Sequence, residues 1–339
     1  MFNTARRAVG LEIDTGAARV VELAGSAAHP KLATLGGIIL PPGAVEEGMI
    51  LQPEEVARAL RTLWEAREIK SREVLLGISN QGVLVRSAVI PKVPADKLDN
   101  VVRFHAQEYL PIPLASVVLD YLVIGETANE SGEALEVLLV AAQREMLESF
   151  LETLYLAGLE ARDIDVSSLI LARTLPAEAA SSTAAVVNAA NGLSSILITT
   201  RGRPRLARLV PVKLKEIADG LGCLLEDLLP ALSNLGPEHE TPLPGWFDEL
   251  AAEIRSSINY YQSQEGAAEV EVIYLNGRGA RLPGIFEALE EKLGLPVHKV
   301  NPLQAYLTPA FAQLATHGEA MEYAISAGLA HRALEGEGE

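Results

Sequence analysis

The sequence predicts an α/β protein of two similar lobes, with a small α+β subdomain inserted in the first. Three observations carry this. The 339 residues are enough for roughly two ordinary domains. A unit of three strands, a helix and a strand occurs once near the start and again past the middle. Between the two copies, residues 81–160 follow a different order of elements.

The elements follow from local patterning. Val9–Ile13 and Arg19–Leu23 are apolar-rich strands around Asp14-Thr15-Gly16, a turn sequence. Lys31–Ile39 is a third strand, and Pro41-Pro42-Gly43 stops it. A helix begins at Pro53, which suits a first helical position, with Glu54 and Glu55 in its first turn. Val56, Leu60, Leu63 and Trp64 share one face up to about Ile69. Glu73–Ser79 is the next strand. In the second copy the strands are Ala184–Ala190, Ser195–Thr200 and Leu206–Val210, separated by Asn191-Gly192 and by Arg201–Pro204. A helix over Trp246–Gln264 places Phe247, Leu250, Ile254, Ile258 and Tyr261 on one face, and Glu271–Leu275 is the strand after it.

The inserted block reads as β-α-β-β-α. Its strands are Val83–Ile90, Val117–Ile124 and Leu135–Ala142, with a polar turn at Thr127–Gly132. Its helices are Pro94–Leu110 and Arg144–Ala157, the second stopped by Gly158. The resulting division is 1–80 plus about 161–182 for the first lobe, 81–160 for the insertion, 183–334 for the second lobe, and a frayed acidic tail at 335–339.

Composition narrows the function. Lys plus Arg number 28 and Asp plus Glu 45, a net charge of −17. So acidic a chain is a poor ligand for nucleic acid or an anionic membrane surface, and suits a basic or neutral protein partner. Cys223 is the single cysteine, so neither an intrachain disulfide nor a cysteine-based zinc site can be built. It falls in an apolar run, Leu221–Leu229, and reads as an inert buried thiol. Arg6 and Arg7 are followed by Glu12 and Asp14 rather than an apolar run, so the start does not read as a secretory signal. The charge-free stretch 179–200 carries Ser, Thr and Asn and reads as a core hairpin, not a membrane span. The six histidines show no metal spacing, and Ser167-Ser168 lacks a nucleophile elbow.

Five stretches resemble one family, the PilM-type actin-like proteins of type IV pilus assembly, and more distantly the division protein FtsA. They are the helix, hinge and strand of Val93–Gly125 with its YLPIP and VVLDY; Val137–Arg173; Leu250–Gln264 ending INYYQSQ; Leu275–Pro302 with GARLPG and LGLPV; and Tyr323–Leu334. The resemblance implies an actin-like, ribonuclease-H-like duplicated fold, two lobes around a cleft. It implies ATP with magnesium in that cleft. It also implies a groove beside the inserted subdomain for the N-terminal cytoplasmic peptide of a PilN-like inner-membrane protein. The chain would then sit in the cytoplasm, peripheral on the inner membrane through that partner, with no direct insertion.

Carried onto this chain, the family's first phosphate turn, Asp-x-Gly-Ser/Thr, falls on Glu12, Ile13, Asp14 and Thr15. An acid persists at Glu12, but Asp14 stands where glycine should. A slip of two residues would instead align Asp14-Thr15-Gly16 with Asp-x-Gly, leaving Asp14 as the metal-side acid; strand facing is unchanged, since its period is two. The second turn has Asn188, Ala189 and Ala190 before Asn191-Gly192, so its carboxylate is lost. The adenosine turn reads Gly277-Arg278-Gly279-Ala280, with Arg278 in the purine seat, where it would crowd the base or stack on it. These departures predict ATP bound weakly or not at all, and negligible hydrolysis.

A peptide site is expected at Tyr109-Leu110-Pro111-Ile112-Pro113, where two prolines fix an extended apolar edge. The leading expectation is a scaffold of a pilus or related secretion platform, with a homo-oligomer conceivable. The rival classes are an active ATPase and an FtsA-like filament protein.

Overall fold

The computed structural model describes residues 6–129, 132–235, 241–316 and 318–336. The chain opens on three antiparallel strands, β1 (Arg7–Asp14), β2 (Ala17–Ser26) and β3 (His29–Ile39). A short ladder, β4 (Val45–Glu46) with β5 (Met49–Ile50), leads to helix α1 (Pro53–Ala66) and strand β6 (Glu73–Ile78). The insertion holds β7 (Val83–Pro91), α2 (Ala95–Tyr109), β8 (Val117–Asn129), β9 (Gly132–Gln143) and α3 (Arg144–Ala157). Then come β10 (Glu160–Val166) and the single turn α4 (Ser167–Ile170). The second copy runs β11 (Thr183–Asn188), β12 (Ser194–Thr200), β13 (Arg203–Val210), α5 (Leu214–Leu221), α6 (Leu228–Asn234), α7 (Leu243–Gln262), β14 (Val272–Asn276), α8 (Ile285–Leu293) and β15 (Val297–Lys299). Helix α9 (Ala324–Glu335) closes the chain.

The duplication is plain in the sheets. One is ordered β10-β6-β1-β2-β3 and the other β13-β12-β11-β14-β15. In each, the first strand pairs antiparallel with the second and parallel with the strand after the helix. Pro204 sits in β13, an edge strand, where a missing N–H costs least. The insertion has its own sheet, β7-β9-β8, with β8 at an edge. Alternation along β8 splits its side chains: Val117, Leu119 and Tyr121 pack with α2 residues such as Val102 and Ala106, leaving Val118, Asp120 and Leu122 on the other face.

Two helices depart from the expected division. Helix α3 was assigned to the insertion, yet it packs on α1: Met146, Phe150 and Leu154 share a core with Val56, Leu60 and Trp64. Helix α9 was assigned to the second lobe, yet it lies across β1, β2 and β6. Its periodicity shows an apolar face, but not which sheet that face meets. Glu335 belongs to this helix and pairs with Arg173, so the acidic tail is ordered at its first residue; 337–339 lie outside the described residues.

The fit of α9 explains Gly10. A Cβ there would lie 2.1 Å from the Ser326 carbonyl oxygen and 2.5 Å from the Ala330 nitrogen. Gly10→Ala therefore has to push the helix off β1. We expect it to lower unfolding stability by about 1–3 kcal/mol or more, read from the midpoint of urea denaturation.

Candidate functional site

The β1–β2 hairpin and the loop after β11 meet tip to tip across the cleft. Asp14 ends β1 opposite Ala17, leaving Thr15 and Gly16 as a two-residue turn, with Gly16 at φ +71°. The Asp14 carboxylate points over this turn into the second lobe. Its Oδ1 accepts the backbone N–H of Thr15 at 2.7 Å and of Gly192 at 3.3 Å, and its Oδ2 accepts that of Asn191 at 3.0 Å. In return Asn191 donates its side-chain N–H to the Thr15 carbonyl at 2.9 Å. The approach is close enough that a Cβ on Gly192 would lie 2.5 Å from Thr15 Oγ1.

The adenosine-type turn packs onto the same loop. Gly277, at φ +84°, would drive a Cβ to 2.5 Å from the Ala189 carbonyl oxygen. Gly279 donates its N–H to that oxygen at 2.9 Å. These glycines are thus accounted for by packing one turn on another. Ala280 is buried in the second lobe's core. Arg278 reaches away from the turn and donates to the Glu226 carbonyl at 2.9 Å. Asn188 is buried at the end of β11, beside Asn276 in register.

Behind the turns lies a buried charge cluster. Arg19 is 6% exposed and pairs with Glu322 at 3.0 Å, and Arg281 pairs with the other oxygen of Glu322. Burial pushes the Glu12 carboxyl up to about 8, against the pull of Arg19. Burial also raises Asp14, opposed by Arg19 and the three N–H donors. Glu322 is lowered: burial opposes its charge, but the two arginines outweigh it. Glu12 Oε2, Thr15 Oγ1, Asn191 Oδ1 and both polar atoms of Asn276 are buried without a hydrogen-bond partner among the described residues. Groups of that kind are satisfied by water or a ligand.

The cleft between Gly16–Arg19 and Arg278, Arg281 and Glu322 measures about 270 Å³, at the lower limit of small-molecule sites, roughly 300–1,000 Å³. The Thr15, Asn191 and Gly192 amides are all engaged by the Asp14 carboxylate. Among the described residues no group of three or more His, Cys, Asp or Glu side chains is arranged as a metal site.

A second concavity, about 830 Å³, lies between the insertion and the first lobe. Val118 and Leu122 of β8 form one wall, and Leu147 and Leu151 of α3 another. Ile164 and Leu169 continue it along β10 and α4. Val118, Leu122 and Leu151 are 43%, 41% and 45% exposed, high for such side chains. Asp120, Asp163 and Asp165 stand at its polar end, the last two paired with Arg332 at 2.8 and 2.9 Å. The resemblance implied a groove beside the inserted subdomain, but no local pattern could name its walls, because the lining residues come from segments as far apart as Ile78 and Arg332.

The hinge expected to receive a peptide is packed instead. Leu110 is 6% exposed within the insertion's core, and Ile112 lies half-buried against that core. Tyr109 donates its hydroxyl to the Val89 carbonyl at 3.2 Å. Pro111 and Pro113 are exposed and end α2 rather than frame a groove. Cys223 also differs from expectation. It follows the left-handed cap Gly222, between two helices rather than inside one, and is half-buried. Ser167 and Ser168 are buried in α4. His105 stacks edge-on to Phe104 and faces Glu108 at 3.3 Å.

Two duplicated sheets, a cleft lined by one turn from each, and a small inserted sheet define an actin-like protein. The solved structure of MreB 5 of Spiroplasma citri bound to AMPPNP has the same fold at TM-score 0.51, with 10% identity over 95% of this chain and 94% of that one. Ethanolamine utilization protein EutJ from Carboxydothermus hydrogenoformans superposes at 0.57, with 14% identity over 98% and 90%. A structure described as a PilM–PilN type IV pilus biogenesis complex superposes at 0.85, with 29% identity over 97% of this chain and 99% of that one. The family model described as type IV pilus assembly protein PilM matches residues 10–204 and 232–334. The chain belongs to that family.

The raised Glu12 gives a signed pH dependence. A carboxyl whose folded value lies above its ordinary 4.5 keeps a proton that the unfolded chain releases. Its stabilising contribution is therefore complete below about 4.5 and is lost as pH rises through about 8. Melting temperature should fall across this window in the wild type, and Glu12→Gln should flatten the fall.

Proposed function

We propose that this chain is a cytoplasmic scaffold of a type IV pilus assembly platform. In this reading it holds the N-terminal cytoplasmic peptide of a PilN-like inner-membrane protein in the groove between β8, α3 and β10. The observation that carries it is that groove: three large apolar side chains at least 40% exposed, Val118 and Leu122 on the edge strand β8 and Leu151 on the α3 wall. An extended peptide suits both features, since an edge strand offers main-chain partners and the walls accept alternate apolar side chains. The likeness to a structure solved as a PilM–PilN complex supports the choice of partner. Among the described residues no helix is long and apolar enough to cross a membrane, so attachment to the inner membrane runs through the partner.

The same reading takes the nucleotide seat as degraded. Asp14 occupies the amides of the second turn, and Asn188 supplies no carboxylate to organise metal and water. ATP then binds weakly or not at all, and hydrolysis contributes nothing.

Calorimetry with a synthetic N-terminal tail of a PilN-like membrane protein tests the docking. A buried carboxylate without a partner costs more than an unpaired neutral polar group, itself about 1–3 kcal/mol, so Leu122→Asp should weaken binding by roughly tenfold or more. Ile112→Asp, at the packed hinge, should leave affinity unchanged with the fold intact by circular dichroism. The opposite pattern would return the site to Tyr109–Pro113.

The net charge of −17 calls for a tail carrying Lys or Arg. Association should accordingly slow as salt rises, measured by stopped-flow fluorescence.

A further inference from the structure

We infer that the loop after β11 is a phosphate-type anion site already filled by the chain's own Asp14, whose carboxylate ties the two lobes together where a nucleotide phosphate would otherwise do so. This rests on the actin-like reading of the cleft and goes beyond the loss of nucleotide binding. It assigns a ligand to the turn and a structural purpose to the substitution.

The geometry is that of an anion held in a backbone nest. Successive amides, Asn191 and Gly192, aim at one carboxylate from the second lobe, and the Thr15 amide closes on it from the first. Such concavities of N–H groups take anions, phosphate above all. Hydrogen bonds to a charged acceptor are about twice as strong as neutral ones. The reciprocal bond from Asn191 to the Thr15 carbonyl fixes the register of the two tips. Gly192 lets them meet, since a Cβ there would strike Thr15 Oγ1. Arg19, buried behind the hairpin, gives the carboxylate a countercharge.

A phosphate and the Asp14 carboxylate would compete for the same amides. A mobile ligand therefore cannot open and close this cleft while Asp14 is seated, and the lobes are set in the closed arrangement. Removing the side chain should unmask the site and loosen the tips together.

Hydrogen exchange and thermal unfolding of the full chain test this, with magnesium ATP and inorganic phosphate as probes. In Asp14→Ala, the amides of Asn191 and Gly192 should exchange about tenfold faster or more, with those of Ala185–Val187 unchanged. Millimolar magnesium ATP should raise the melting temperature of Asp14→Ala and leave the wild type where it is. Stabilisation by inorganic phosphate as well would place the gain at the turn rather than at the base. Asp14→Asn, isosteric but with one acceptor oxygen, should fall between the two and serves if the alanine variant does not fold. Unchanged exchange at Asn191 and Gly192 in both variants would overturn the inference, and so would a wild type stabilised by millimolar ATP or phosphate. Tail binding is read separately by calorimetry, so failure here leaves the docking proposal to its own test.

Discussion

One apolar core shared by both sheets governs the rest of the molecule. Val21, Leu23 and Leu75 of the first sheet belong to the same buried cluster as Ala184, Val186 and Tyr274 of the second, with Ile325, Leu329 and Ala333 of α9 among them. Burial of this kind is non-directional and scales with area, roughly 25 cal/mol per Å². It brings the sheets together, but by itself does not set where their strand ends meet. Close packing adds that precision. Gly10 leaves no room between β1 and α9 for even one methyl group, so the helix has a single depth at which to sit.

Polar groups then use the alignment that packing provides. The strand ends facing the cleft, with the segment Gly318–Tyr323 before α9, bring Glu12, Asp14, Arg19 and Glu322 out of water, where charges interact more strongly and unpaired ones cost more. Arg19 is the centre of this arrangement. It holds Glu322 in a direct pair and lies near enough to oppose the effect of burial on both Glu12 and Asp14. Across the cleft, the Asp14 carboxylate of the first lobe accepts the Asn191 and Gly192 amides of the second, so the two strand ends meet through a polar contact.

The insertion contributes a surface rather than a cleft. Its sheet satisfies α2 with one face, and on the other face β8 is left with Val118 and Leu122 exposed. Because α3 packs mainly on α1 and meets this sheet only at its β9 side, a groove opens between α3 and β8. The position of α3 thus sets one wall of that groove. The two features differ in chemistry: the cleft is lined by charged residues such as Arg19, Arg278, Arg281 and Glu322, while the groove's walls are largely apolar.

Much of this was legible in the residues alone. Strand alternation, the helical stripe of Val56, Leu60, Leu63 and Trp64, and the turn pairs Thr15-Gly16 and Asn191-Gly192 are local signals, and local signals suffice for the duplicated units and the insertion. The departures at Asp14, Asn188 and Arg278 could likewise be read position by position against the family pattern. What lay beyond the sequence were the pairings. A periodic apolar face on α3 or α9 does not say which surface it will cover. Leu110 and Ile112 look like a free edge until the core that encloses them is assembled. Asp14 meets a partner 177 positions away, and no local pattern encodes that meeting. The sequence determined which groups were available, because periodicity and residue chemistry are properties of short segments. The tertiary structure decided what each group faces, because that depends on how whole sheets and helices exclude one another in space.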